Sequence, residues 1–463
     1  MASLSKLLFV VGLCFLTFVW GVVATTKQVF PYRYVQHVLT GIDAWKKMEK
    51  TRLPQHVIGP APDASGPSPV RALATSGSDD LILMTGGFFE RQDICPSFGC
   101  MAAIMDRSGK VLHSWQADPA ILFATEKFAD FTGQPDPLNM NVQGVDIDGD
   151  GNLIVVFQGR NIFPYQVGIA KFGWDGGLLW QRMDNSHHWP TVGPDGRIYV
   201  PISRIARDET HVAGTSEPLD CKGGAVFEEG VQILAPDGTE LHRFWMADAV
   251  LASDMQGLAY SVRTDCDPYH VNGITLLTPV AAQKLPGTQA GDLVVSLRSS
   301  SSLVVMDAET GEIKHVTVGP MVAQHSPHVL PDGSFAVFDN LGSHDTPGGS
   351  RVLRLDPVTG RSETIFPIAE NAAGWGLNSN AQGQISFSDD GTRMLVASTL
   401  EGLVYEVEVA TGRALWEYRS ISDMRPYLEM TGQSPGTDRF FRLQTQGARF
   451  VRAADYERFA ARG

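Results

Sequence analysis

No run of lysines or arginines occurs in this sequence, and charged residues make up only 19 % of its 463 positions, with a formal net charge of −14. A phosphate backbone needs a basic face, so the composition argues against non-specific binding of nucleic acid. Cysteine is also scarce, with five in the chain. Cys14 sits inside an apolar run, and the other four, Cys95, Cys100, Cys221 and Cys266, form an even count that suits disulfides in an oxidising compartment. Pairing nearest neighbours gives Cys95–Cys100 and Cys221–Cys266. A zinc site fits poorly, because C-x4-C with one nearby histidine falls short of four ligands. A calcium loop is incomplete too: DIDGDGN (146–152) starts like one, but the twelfth position is Phe157 and not glutamate, which leaves a hairpin turn.

What the chain has in quantity is glycine (47), proline (27) and hydrophobic residues (43 %), a composition that suits a turn-rich all-β protein. The N-terminus differs. After Lys6, an apolar run from Leu7 to Ala24, interrupted only by Gly12, Thr17 and Gly21, is about long enough to span a bilayer. Export is expected, with a membrane-anchored or periplasmic location. Val22 and Ala24 offer a small-residue cleavage site, but the length of the run favours an uncleaved anchor over residues 1–26. Residues 27–78 read as a juxtamembrane helix (Val35, Val38, Leu39, Ile42, Trp45) followed by a Pro/Ala/Gly/Ser-rich linker.

From about residue 80, six segments share one form, in which a strand ends on Asp or an equivalent, a Gly turn follows, and a second strand often closes on an aromatic. They are AAIMDRSGKVLHSW, VGIAKFGWDGGLLW, VQILAPDGTELHRFW, SLVVMDAETGEIKHV, RVLRLDPVTGRSETIF and LVYEVEVATGRALWEY, with starts about 50 to 70 residues apart. Another hairpin precedes each: DDLILMTGGF, DGDGNLIVVF, GPDGRIYVP, AGDLVVSLR, PDGSFAVFD and DDGTRMLVA. Six units of two hairpins predict a six-bladed β-propeller over residues 79–420, with short helical flanks. The polar segment 421–463, which includes FFRLQTQGARFVRAADYERFAA, is expected to pack as a C-terminal extension on the outside.

In a propeller the innermost strand of each blade faces the axis, so polar residues just before those strands converge. Those residues are Gln143, His187 and His188, His270 and Asn272, His325 and His328, and Gln382. Convergent imidazoles can bind a metal or do acid–base and nucleophilic work on an anion. Arg298 lies one strand-length after the His270 unit, where a guanidinium clamps two oxygens of a sulfate or phosphate ester and repels a metal.

The string DPYHVNGI, then VVSLRSSSSLVVMD, then QHSPHVLPDGSFAVFDN, with a last blade ending WEY, resembles the arylsulfotransferase family of exported six-bladed propellers. The family's corresponding segments run W-x-H-x-N-S, S-S-R-H-Q, Q-H-D-x-x-x-x-P-D-G and F-D-N-G. The resemblance covers about residues 80–420. It implies transfer of a sulfuryl group from an aryl sulfate donor to a phenolic acceptor, without a nucleotide donor, a metal or another cofactor. It makes His325 the covalent nucleophile and gives His270, Arg298 and His188, in preference to His187, the handling of sulfuryl oxygens and protons. Asn272, Asn340, His328, Gln143 and Gln382 are the expected binding residues. Ser326 replaces the family's acid after the nucleophile, so an orienting group for His325 is not identified. Other readings are a non-catalytic ligand-binding or scaffolding propeller of the envelope, and a hydrolase or quinone oxidoreductase using the same funnel.

Overall fold

The computed structural model describes residues 2–27, 29–32, 34–35, 57–64, 66, 70–86, 100–116, 122–123, 140–159, 165–206, 226–262, 266–344, 349–368, 377–430 and 438–462. Two compact units result, one made of residues 1–52 with 222–224 and the other holding the remainder. The first contains a helix, Ala2–Lys27, whose apolar stretch is long enough to cross a membrane by length and composition. Most of the expected juxtamembrane helix lies outside the described residues.

The second unit is a six-bladed β-propeller. Blades two to five are four-stranded antiparallel sheets whose strands follow chain order outward from the axis. Their inner strands are Met140–Ile147, Thr191–Val192, Val271–Leu276 and His325–Val329. Blade six has the inner strand Gln384–Phe387 and carries a fifth, outermost strand, Val70–Ala72, paired with Trp416–Tyr418. Each predicted hairpin from AAIMDRSGKVLHSW onward supplies the third and fourth strands of a blade. The middle strands are buried on both faces, since blades stack on one another, and so they read as continuous apolar runs such as Leu153–Phe157 and Phe335–Phe338.

The closing aromatics have a physical role. Trp115 at the end of blade one donates its indole N–H to Gly173 O in the turn of blade two, at 3.0 Å. Trp180 of blade two likewise reaches Pro236 O of blade three at 3.1 Å. Trp416 of blade six reaches Arg107 O in the turn of blade one at 2.9 Å, and Arg107 itself ion-pairs with Glu406 of blade six at 2.8 Å. Blade six is thus fastened to blade one by the device that joins blade one to two and blade two to three.

Two expectations are corrected. The segment after 420 does not simply pack outside the blades: Gly447–Val451 pairs with Leu81–Thr85 as the inner strand of blade one and lies next to Gln384–Phe387 of blade six. Blade one therefore lacks a local first hairpin, and DDLILMTGGF contributes one strand among the described residues. The pattern misled because GARFV is five residues long and runs directly into a true helix, Ala453–Ala460. The expected linker before residue 79 also contains structure: beside Val70–Ala72, Val57–Pro60 pairs with Phe440–Leu443 in a small separate sheet. Edge strands of three or four residues tolerate the proline and glycine that make such a segment read as a linker.

DIDGDGN forms a hairpin turn, in which the Asp148 carboxylate accepts from the backbone N–H of Asp150 and Asn152 at 2.9 Å and pairs with Lys171 at 2.8 Å. Cys100 and Cys266 are each disulfide-bonded. Cys95 and Cys221 lie outside the described residues.

Candidate active site

The chain reaches the axis through strained residues. His188, His270, Ser326 and Gln382 hold φ of 58°, 46°, 53° and 63°, each at or just before the inner strand of blades three to six. A left-handed non-glycine residue costs roughly 1–2 kcal/mol, and its repetition at equivalent places marks a functional constraint. The next inner strand approaches closely: a Cβ on Gly273 would meet Pro327 Cδ at 2.4 Å, so only glycine fits beside the histidine of blade five.

These turns gather three imidazoles. The ring centroid of His188 is 5.2 Å from that of His270 and 6.0 Å from that of His325. One ring nitrogen from each lies within 4.8 Å of the others. His325 is buried, and its Nδ1 faces Asn340 Oδ1 at 2.7 Å and Ala323 O at 3.2 Å. The amide of Asn340 cannot be reversed, because its Nδ2 donates to Ser379 O at 2.6 Å and to Gln382 O. Both partners of His325 Nδ1 are therefore acceptors. Nδ1 carries the hydrogen, and the lone pair sits on Nε2. Burial pushes the His325 pKa down to about 3, against the hydrogen bond to Asn340 that opposes it. Burial, then the neighbouring His187, also holds His188 well below its ordinary value.

The orienting group missing from the sequence comparison is thus Asn340, which comes from the FDN string of the next strand. Its neighbour Asp339 has a structural task, accepting from Val322 N at 2.7 Å and pairing with Arg351 at 2.8 Å. Ser326 turns away: its hydroxyl donates to Ile385 O and accepts from Ile385 N, both at 3.1 Å, which bridges blades five and six.

His270 has a carboxylate partner in Asp267, which accepts from Nδ1. Burial pushes the Asp267 carboxyl up, but the charge and hydrogen bond of His270 outweigh it and hold the group below the usual range. Arg298 is half-buried, and its backbone N–H donates to His270 O at 3.1 Å. Its charge is one cause of the lowered His188 and His325 values. Among the described residues no carboxylate pairs with its guanidinium.

Gln143 and Asn272 hold the turns in place. Gln143 Oε1 accepts from the His188 backbone N–H at 2.7 Å, and Asn272 Nδ2 donates to Gln324 O at 2.7 Å. With His188, His325 and Gln382 they line a small axial cavity of about 30 Å³. His328 does not join it. Its ring stacks edge-on to Phe387 at 5.6 Å in a separate, wider cavity of about 700 Å³, beyond Trp189. The strand begins at His325, and a register shift between His325 and His328 turns the second histidine outward along the axis. Trp189 borders both cavities, its ring wedged so close to Gly447 that a Cβ there would come within 2.3 Å.

Asp267 and Glu229 escape the sequence reading. Asp267 was visible three positions before His270. His187 is fully buried behind His188, with Nδ1 atoms 2.5 Å apart. Glu229 comes from the third strand of blade three, Val226–Leu234, and accepts the Val271 backbone N–H; no local signal marks it.

A sequence profile for the family described as Arylsulfotransferase (ASST) matches residues 148–420. The chain belongs to the arylsulfotransferase family. The matched region runs from the turn after the inner strand of blade two to the end of blade six and includes every histidine and arginine of the axial cluster. Membership supports an arylsulfotransferase-like function and a transferase. No curated protein matches the sequence. Among solved structures, a protein of unknown function from Bacteroides caccae shares 12 % identity at a TM-score of 0.44, covering 73 % of this chain and 93 % of that one. The β-propeller domain of Cps50 (Swd1) from Myceliophteria thermophila shares 12 % identity at a TM-score of 0.38, covering 75 % and 88 %. Virginiamycin B lyase from Staphylococcus aureus shares 11 % identity at a TM-score of 0.34, covering 59 % and 69 %.

Proposed function

We propose that this protein transfers a sulfuryl group from an aryl sulfate to a phenol through a covalent intermediate on His325, with no nucleotide donor. The observation that carries the reading is the fixed tautomer of His325: Asn340 holds its Nδ1–H, and a neutral Nε2 lone pair stands beside two further imidazoles and a guanidinium. In the first half-reaction Nε2 attacks sulfur, the N–S bond forms and the aryl O–S bond breaks. The departing phenolate takes a proton from His270, whose Nδ1 stays on Asp267. Arg298 and His188 hold the sulfuryl oxygens, where charge gathers in the transition state. In the second half the phenol acceptor gives its proton back to His270, its oxygen attacks sulfur, and the N–S electron pair returns to Nε2. The ester carries one negative charge, which an arginine and hydrogen bonds suffice to meet.

Asn272, Asn340, Gln143 and Gln382 act in this reading by shaping the pocket. Residues 1–26 anchor the protein, the propeller, whose blade one takes its inner strand from Gly447–Val451, holds the catalytic cluster, and Cys95–Cys100 and Cys221–Cys266 pair outside the cytoplasm. The test is incubation with an aryl sulfate and a phenol acceptor, without metal or nucleotide, following phenolate release. Turnover that disappears in His325→Ala supports the reading. Absence of turnover across several donors, or full activity in His325→Ala, ends it.

A further inference from the structure

Behind His270 lies a second carboxyl group that the transfer chemistry does not use. Glu229 is completely buried in the third strand of blade three, and its Oε2 accepts the backbone N–H of Val271, the first residue of the inner strand of blade four. Its side chain is hydrogen-bonded to that of Asp267. Oxygens of Glu229 and Asp267 and a ring nitrogen of His270 lie within 4.8 Å of one another. Two carboxylates cannot hydrogen-bond to each other unless one of them holds a proton. Asp267 is the member in contact with the imidazole, which favours its ionised form, so the proton belongs on Glu229.

We infer that Glu229 is a neutral carboxylic acid that donates its proton to Asp267, and that this acid–carboxylate pair positions His270. The other groups facing the pair agree. His187 Nε2 stands 3.7 Å from Glu229 Oε1. Tyr165 and Arg298 also lie close: burial, then the negative charge of the pair, pushes the Tyr165 hydroxyl up, and Arg298 pulls the other way. The pair also joins blades three and four, since Glu229 holds both Val271 N–H and Asp267, and Asp267 fixes the ring of His270. Glu229 touches no reacting atom and is a positioning residue.

The functional half of this inference rests on the transfer reading above; the protonation half does not. Infrared spectroscopy of the full chain at neutral pH reads the protonation directly. A carbonyl stretch of a protonated carboxyl that disappears in Glu229→Gln is expected. No such band, a band unchanged in Glu229→Gln, or a stoichiometric divalent metal in the purified protein would overturn the proton-sharing pair. In the transfer assay Glu229→Gln should stay within about 3-fold of the wild type, because its amide donates to Asp267 and still accepts from Val271. Glu229→Leu should lose at least about 10-fold in kcat and shift the limb of the pH profile set by His270, with KM little changed. Equal damage in both variants, with circular dichroism reporting a folded protein, would show that donation to Asp267 is not what Glu229 supplies. If the wild type shows no transfer, the transfer reading fails, and the infrared result still decides the pair.

Discussion

Replacing Asn340 with alanine tests the link between geometry and nucleophile most sharply. The amide makes three contacts: it accepts from His325 Nδ1 at 2.7 Å, donates to Ser379 O at 2.6 Å, and donates to Gln382 O. Their loss is only partly made good. His325 Nδ1 keeps a weaker bond to Ala323 O at 3.2 Å, and Ser379 O keeps the Ser350 hydroxyl at 3.2 Å. With an orphaned buried polar group costing about 1–3 kcal/mol, the net destabilisation should be about 2–4 kcal/mol. Catalysis should suffer separately, because the imidazole is free to rotate and to move its proton to Nε2, where it blocks attack. A loss of about 100-fold in kcat, equivalent to about 2.7 kcal/mol, is expected. Urea denaturation gives the stability, initial rates of phenolate release give kcat, and ¹⁵N NMR of the imidazole reports the tautomer. A folded Asn340→Ala protein with kcat within 2-fold of the wild type would refute the role of the tautomer.

Acid should destabilise the fold through its buried and half-buried histidines. Burial lowers His187, His328 and His113 to about 4 and His325 to about 3. Each unfolded histidine binds a proton near pH 6.5 that the native one refuses, so each adds about 1.4 kcal/mol of lost stability per pH unit as pH falls from about 6.5 to its folded value. His328→Leu should therefore flatten the stability–pH slope between about pH 6 and pH 4 by roughly that amount while leaving transfer intact, as seen in urea midpoints; an unchanged slope contradicts the assignment. Ser326→Ala removes both hydrogen bonds to Ile385 and should cost about 1–3 kcal/mol of stability with little change in kcat. Truncation after residue 446 removes the inner strand of blade one, exposes the edge of Leu81–Thr85 and should prevent stable folding; a truncated chain with a wild-type melting midpoint would contradict the pairing.

The blade count was legible because each outer hairpin repeats an Asp or Gly turn and often a closing aromatic, and the structure shows what Trp115, Trp180 and Trp416 hold. The first blade was less legible, since its inner strand is supplied by Gly447–Val451, hundreds of residues from its partner in sequence. The axial histidines were readable as residues placed before inner strands, and His188, His270 and His325 do meet. His328 was misplaced because a register shift in a five-residue strand decides which of two histidines faces the cluster. Asn340 could be nominated from FDN, but its bond to His325 depends on the return of the neighbouring strand. Glu229 lay beyond reach, because only the stacking of blade three on blade four brings it to Asp267.

The most direct measurement is mass spectrometry of the protein after brief incubation with an aryl sulfate and no acceptor, followed by peptide mapping under conditions that preserve an N–S bond. The account predicts one added sulfuryl group on the peptide containing His325, released on addition of a phenol and absent in His325→Ala. A sulfuryl group on another residue, or turnover without any labelled intermediate, would contradict it.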